Sequence, residues 1–418
     1  MKKNTIPLLT IGLLFGVFGF AAWLNSLLIP YFQISLELSE VQTTLVTFAF
    51  FIAYVVMALP SSFLLKKIGF KKGLVAGLII MAAGALLFIP AANSRAYWLF
   101  LTGLFVMGTG QALLQTAANP YITILGPIES AAQRNSFMGV CNKLAGIASQ
   151  WLLGPILLLN ADIVLNQIKS SSVEEKQIIL TEMISRVINP YWIMTAALVL
   201  ITVFIWIIKL PDVNEETDNP DVSGEAKKSI WLYPNLVLGV LALFCAEGLE
   251  SITSYYIIPF GQTMGYSVAQ SQPFVDYIIY AMLAGYLCGI LFIPKYISQS
   301  KSLAMCAFAG MVLCLTAIFF GGATAVACMI GMGFCNALNW PCIWPLAING
   351  LGKFTKTAAA LLIMAIAGDA IFPVLYAQLN QLFGFKAGLL LLLVFYIVIL
   401  YYGISGHKIK KIKPLATV

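Results

Sequence analysis

Apolar runs of about twenty residues recur along all 418 residues of this chain, and nearly every Lys and Arg falls between them. A run of that length is what a helix needs to cross a bilayer. In hydrocarbon only helices and closed barrels satisfy their own backbone, and continuous rather than alternating runs select the helix. Twelve runs read as spans, near 6–29, 42–65, 73–91, 96–124, 136–159, 190–209, 232–259, 271–296, 302–322, 324–349, 355–381 and 386–405. The chain is 60% hydrophobic and 10% charged, against roughly 25% charged in soluble domains. So few charges cannot cover this much apolar surface in water, which makes membrane lipid the expected solvent. The first run is too long for a signal peptide and no cleavage site followed by a soluble domain appears, so it is kept as a helix.

The basic residues set an orientation. Arg95, Lys169, Lys176, Arg186 and Lys386 lie at one set of span ends, Lys143 lies inside a span, and the other eighteen of the 24 lie at the opposite ends. By the positive-inside rule that asymmetry puts both termini in the cytoplasm, with an even number of spans, in a multi-pass membrane protein. The net charge of +7 is then a basic face beside anionic lipid and calls for no nucleic-acid partner.

An acidic stretch with Pro and Gly, residues 210–230, divides the spans six and six. The expected domains are a bundle at 1–209, a cytoplasmic linker at 210–230 and a second bundle at 231–418. A second polar segment, 161–189, has helical periodicity and is expected to cap the opposite side. The halves repeat weakly: an offset of 221 puts Gln115 on Asn336 and Pro120 on Pro341, and an offset of 222 puts Leu144-Ala-Gly146 on Ile366-Ala-Gly368. Two similar bundles are how many transporters are built.

Apart from the basic residues that mark the span ends, five acidic or basic side chains lie inside the spans: Lys143, Glu247, Glu250, Asp276 and Asp369. A charge at mid-bilayer costs at least about 2.5–3.5 kcal/mol, so such groups usually face a cavity and mark a substrate or ion path. Asp276 sits near a span end and reads as interfacial. Lys143 either snorkels to the surface or partners a carboxylate. Glu247 and Glu250, three apart on one helix, need a shared cation or a proton.

Amides and indoles complete the list. Hydroxyl-rich solutes need donors and acceptors together, which Asn and Gln supply, and an indole covers the apolar face of a pyranose. Trp23 and Asn25 lie in the first run. Gln111, Gln115 and Asn119 form a stripe at i, i+4, i+8 in the fourth, and Asn142 lies in the fifth. Asn336, Asn339, Trp340 and Trp344 lie in the tenth. Helix–helix hydrogen bonding is the structural alternative for any one of these amides. Mid-helix prolines at 120, 341, 345 and 373 bend helices and free carbonyls. The eight cysteines carry no CxxC pair and read as small buried hydrophobes. His407, in a basic tail, is no metal ligand. No Walker A, HExxH or GxSxG pattern is present, so neither a metal nor a cofactor is expected and an enzyme is disfavoured.

Four segments carry a resemblance: LNSLLIPYF (24–32), LLQTAANPYITILGP (113–127), MGVCNKLAG (138–146) and NALNWPCIWPLAINGLGKFTK (336–356). They look like the fucose–galactose–glucose:proton symporter family of the major facilitator superfamily, most of all its glucose/galactose and N-acetylglucosamine permease branch. The resemblance implies an all-α fold of twelve transmembrane helices in two six-helix bundles, alternating access, and a central monosaccharide site driven by a cation gradient. Carried over, Asn142 matches the family's fifth-span Asn, Lys143 resembles the glucose branch, and Glu250 matches that branch's seventh-span acid. Departures stand at Ser26 and Gln115, where the fucose branch has Asp and Glu, and at Ser254-Tyr255, Asn349 and Gly368-Asp369.

The chain is therefore expected to be a monomeric secondary transporter taking up a monosaccharide by cation symport, with proton or sodium as coupling ion. A sugar uniporter or a carrier of another polar solute is the alternative. Asn25, Gln111, Gln115, Asn119, Asn142, Asn336, Asn339, Trp340 and Trp344 are the expected substrate contacts. Glu250, with Glu247, Asp369 and Lys143, is expected to carry coupling.

Overall fold

The computed structural model describes residues 5–124, 130–208, 230–351 and 354–409, and every regular element among them is helical. Twelve segments are long and apolar enough to cross a bilayer, the first Leu9–Ser35 and the last Phe385–Lys408. Apart from Ile230, the expected linker at 210–230 lies outside the described residues. The first span runs past the apolar run that announces it, to Ser35. Its last turns are held by protein rather than lipid: Tyr31 is fully buried and donates to the carbonyls of Met183 and Ile184, both at 2.8 Å.

Local signals place the helix ends. Ser39 Oγ accepts from the N–H of Gln42, whose side chain accepts from the N–H of Ser39, a capping box that starts the second span. That helix, Glu40–Ile68, stops at Gly69, whose φ of +81° suits glycine and turns the chain into the third span. The polar segment after the fifth span forms two helices, Ala161–Ser170 and Val173–Ser185. They lie at the end of the molecule opposite the termini, where Lys176 pairs with Glu37 and Arg95 donates to Gln177.

Several spans are broken, among them the third, at Leu87 between Phe70–Leu86 and Phe88–Ser94. The first divides at Leu24, between Thr5–Trp23 and Asn25–Ser35. The seventh divides at Tyr256, after Pro234–Tyr255. The tenth divides between Gly322–Asn336 and Asn339–Ile348. Pro341 explains this break: without an N–H it cannot bond to the carbonyl of Ala337. The eleventh passes through a 3₁₀ turn at Ala365–Ala367. By contrast, the fourth span is one helix, Tyr97–Ile124, helical through Pro120, and the fifth is one helix, Ala131–Leu157.

The second span packs on the eleventh and the fifth on the eighth, which joins the two six-helix bundles. Hydrogen bonds link the halves on both sides of a central cavity. Towards the end opposite the termini, the Asp162 carboxylate accepts from the N–H groups of Val268 and Ala269 at 3.1 and 2.9 Å. The hydroxyls of Thr47 and Tyr256 meet at 2.9 Å. Trp151 Nε1 donates to Asp276 at 3.3 Å, so this half-buried acid is an inter-half contact. Towards the other end, Gln133 Nε2 donates to the carbonyl of Ile290 at 2.8 Å.

Candidate functional site

The cavity lies between the halves at the level of the helix breaks. Its wall includes Gln111, Gln115 and Asn119 from the fourth span, Asn142 and Lys143 from the fifth, Glu247 and Glu250 from the seventh, Trp340 from the tenth and Asp369 from the eleventh. Nine of the thirteen expected residues are thereby gathered on one surface. The i, i+4, i+8 stripe of the fourth span faces inward as a unit because that helix is continuous. Gln115 Nε2 donates to the Tyr54 hydroxyl at 2.9 Å and Asn119 Nδ2 reaches Gln115 Oε1 at 3.5 Å, a connected amide row along the wall.

Two further amides are anchored to the first span. Gln111 Nε2 donates to the Phe18 carbonyl at 3.3 Å and Asn142 Nδ2 to the Phe15 carbonyl at 3.4 Å. Close packing makes the second bond possible. A Cβ on Gly19 would stand 2.0 Å from the Asn142 carbonyl oxygen, so the first and fifth spans touch backbone to backbone there.

The other four expected residues are not on the cavity wall. Asn25 donates to the Ala22 carbonyl at 2.9 Å, bracing the break in its own span. Asn336 donates to Thr253 Oγ1 at 3.1 Å and accepts from the Tyr396 hydroxyl at 2.9 Å, so it ties three helices of the second half together. Asn339 is 3% exposed. Trp344 is 1% exposed and stacks on the back of Trp340, with ring centroids 5.1 Å apart. The break at 337–338 is the reason. The helix is interrupted between Asn336 and Asn339, so residues on the two sides of the break do not share one regular helical face.

Electrostatics concentrate on the second half. Lys143 Nζ lies 2.5 Å from Glu250 Oε1, with its side chain 4% exposed, so it enters the cavity rather than snorkelling. The same ammonium sits 4.7 Å over the Trp23 ring, a cation–π contact that holds it off the membrane surface. Trp23 meets Tyr255 edge-on at 5.8 Å, and Tyr255 stacks on Phe51 at 5.9 Å. This aromatic row crosses between the halves.

Sequence reasoning missed part of the wall. Phe15, Phe18, Phe51, Tyr54, Asn135, Tyr255 and Tyr286 also line the cavity. Aromatic residues in apolar runs give no signal of which way they face; only the polar Asn135, at a span end, was open to suspicion. Chemically, the wall offers amide donors and acceptors on one side, ring faces in the middle and three carboxylates with one ammonium on the other. That suits a neutral polyhydroxylated solute beside a small cation.

The model of the Major Facilitator Superfamily matches residues 11–373. A glucose/galactose transporter of Brucella abortus is 34% identical over 412 residues, covering 97% of this chain and 95% of that protein. An L-fucose-proton symporter of Escherichia coli is 28% identical over 384 residues, covering 88% of this chain and 86% of that one. A crystal structure of the Escherichia coli fucose:proton symporter superposes with a TM-score of 0.76 at 26% identity, over 96% of this chain and 98% of that one.

Proposed function

The chain belongs to the major facilitator superfamily, and we propose from that premise that it takes up a monosaccharide of the glucose or galactose type by alternating access, coupled to a cation. It falls with the fucose–galactose–glucose:proton symporters, on the strength of relatives matched over nearly the full chain. The observation that carries the reading is the cavity itself. An amide row from the first half, an indole from the tenth span and a carboxylate cluster from the seventh and eleventh converge between two bundles that must move relative to one another. The amides bind hydroxyls, Trp340 covers the apolar face of the ring, and the cluster of Glu247, Glu250, Asp369 and Lys143 takes up the coupling ion. Relatives named as proton symporters make the proton the favoured ion. The protein acts as a monomer in the bacterial inner membrane with both termini in the cytoplasm, in keeping with its basic residues.

Reconstituted vesicles test this. Internal unlabelled glucose or galactose should drive counterflow of the labelled sugar, and an imposed proton gradient should drive accumulation. Absence of counterflow with every hexose tried overturns the sugar assignment. Counterflow without accumulation under proton or sodium gradients makes the chain a uniporter.

A further inference from the structure

A backbone contact builds the acidic wall of the cavity. A Cβ on Gly368 would lie 2.1 Å from the carbonyl oxygen of Phe244, so only glycine lets the eleventh span approach the seventh this closely. The next residue, Asp369, and Glu247, beside Gly248 on the facing turn, are thereby brought onto the same stretch of the cavity wall. An ionised carboxylate only accepts, so a hydrogen bond between two carboxyl groups requires a proton on one of them.

The surroundings do not supply another neutralising charge. Asp369 is 4% exposed, and its Oδ1 has no hydrogen-bond partner among the described residues. From the opposite wall Gln111, 1% exposed, brings an Oε1 that is likewise unpartnered among the described residues. A second acceptor facing the same cavity calls for a hydrogen donor, not for another anion. The charged and titratable groups around the pair are Glu250 and Tyr255 from the seventh span, Lys143 from the fifth, Tyr54 from the second and Tyr286 from the eighth. Lys143 is the one cation on this wall among the described residues, and it is matched to Glu250.

We propose that Glu247 and Asp369 share a single proton and that this proton is the coupling ion, while Glu250 serves as the partner of Lys143. Binding one proton turns two repelling carboxylates into a hydrogen-bonded acid–base pair. Release returns that proton to water on the other side of the membrane and leaves the pair as a dianion. The assignment rests on the reading of the chain as a sugar symporter, and it is narrower, because it says which acids load.

Infrared difference spectra of the purified protein between acid and alkaline buffer read the pair directly and need no sugar. Wild type should show the carbonyl band of a protonated carboxyl. Glu247→Gln and Asp369→Asn should each lose it, because the new amide donates to the remaining carboxylate and removes the need for the proton. The double variant Glu250→Gln/Lys143→Met, which removes the neighbouring ion pair whole, should keep it. In vesicles, wild type should carry one proton per sugar by pH-dye uptake, and both pair variants should carry none. Wild type lacking the band, or both pair variants keeping it with proton-coupled accumulation intact, overturns the proposal. Accumulation driven by sodium in place of protons overturns it as well. If the variants do not fold, the wild-type band and proton count still decide. A wild type with the band that binds no hexose sinks the sugar reading and leaves the shared proton standing.

Discussion

Lys143 on the fifth span and Glu250 on the seventh meet at 2.5 Å across the boundary between the two halves. An ion pair in that position has two jobs that conflict. It must offset the cost of burying each charge, and it must tolerate rocking of the bundles that carry its ends. Trp23, beneath the ammonium, gives Lys143 a second favourable contact from its own half. The pair is therefore placed to strain or break as the halves move without abandoning a bare cation.

The first prediction concerns that pair. Glu250→Gln leaves Lys143 without its anion and should destabilise the protein by about 3 kcal/mol, the low end for a broken buried pair, since the Glu250 side chain keeps 21% exposure. Lys143→Met should cost a similar amount. The double variant should recover much of the loss, read as apparent melting temperatures in detergent. Strictly additive losses would show that the two side chains are not coupled.

The second contrasts two amides aligned by the internal repeat. Gln115 lies in the amide row on the wall, so Gln115→Ala should lose a hydrogen bond to the ligand, ~1–3 kcal/mol or roughly tenfold to a hundredfold in affinity. Asn336 bonds Thr253 and Tyr396 instead. Asn336→Ala should lower thermal stability and change sugar affinity little in protein that remains folded. Equal effects on affinity by titration calorimetry would argue that Asn336 turns inward in the loaded state.

The third separates the stacked indoles. Trp340 faces the cavity and Trp344 lies behind it. Trp340→Ala should weaken binding about threefold to tenfold, the range for one lost ring-stacking contact, and Trp340→Phe should weaken it less. Sugar-dependent quenching of tryptophan fluorescence should vanish in Trp340→Phe and survive in Trp344→Phe. The reverse pattern would exchange their roles.

The fourth addresses closure. Asp162 of the first half accepts two backbone N–H groups of the second. Hydrogen bonds to a charged group are worth about 1.5–3 kcal/mol, so Asp162→Ala should raise the population opened on that side roughly tenfold or more. A cysteine at Tyr54, in a background stripped of native cysteines, should then react faster with an impermeant thiol reagent added from that side. An unchanged rate would mean that the contact forms late or contributes nothing to closure.

The spans and most of the chemistry were legible because both follow from polarity. A polar side chain in hydrocarbon has to face protein or water, so Gln111, Gln115, Asn119, Asn142, Lys143, Glu247, Glu250 and Asp369 declared themselves. A continuous helix also preserves a face, which is why the fourth-span stripe holds. The tenth span misled because periodicity carries no information across a break, and Asn336, Asn339 and Trp344 fall behind the wall. Phe51, Tyr54 and Tyr286 were invisible for a different reason: an aromatic ring is equally at home against lipid, a neighbouring helix or a sugar. Nor does sequence show that Gly368 brings Asp369 to Glu247, since a helix-packing glycine looks the same wherever it falls.

The amides of the wall all lie in the first half, on unbroken helices, and its carboxylates all lie in the second, on broken ones. What a carrier of this build grips and what drives it are thus encoded in separate stretches of gene. Recombination near the middle could exchange a substrate preference without disturbing the driving ion, or the converse. Trp340, in the second stretch but on the sugar-facing wall, is one exception, and Lys143 is the other, a residue of the first stretch whose partner is in the second. In a lineage assembled by such exchange, it is the position at which ancestry on one side must answer to ancestry on the other.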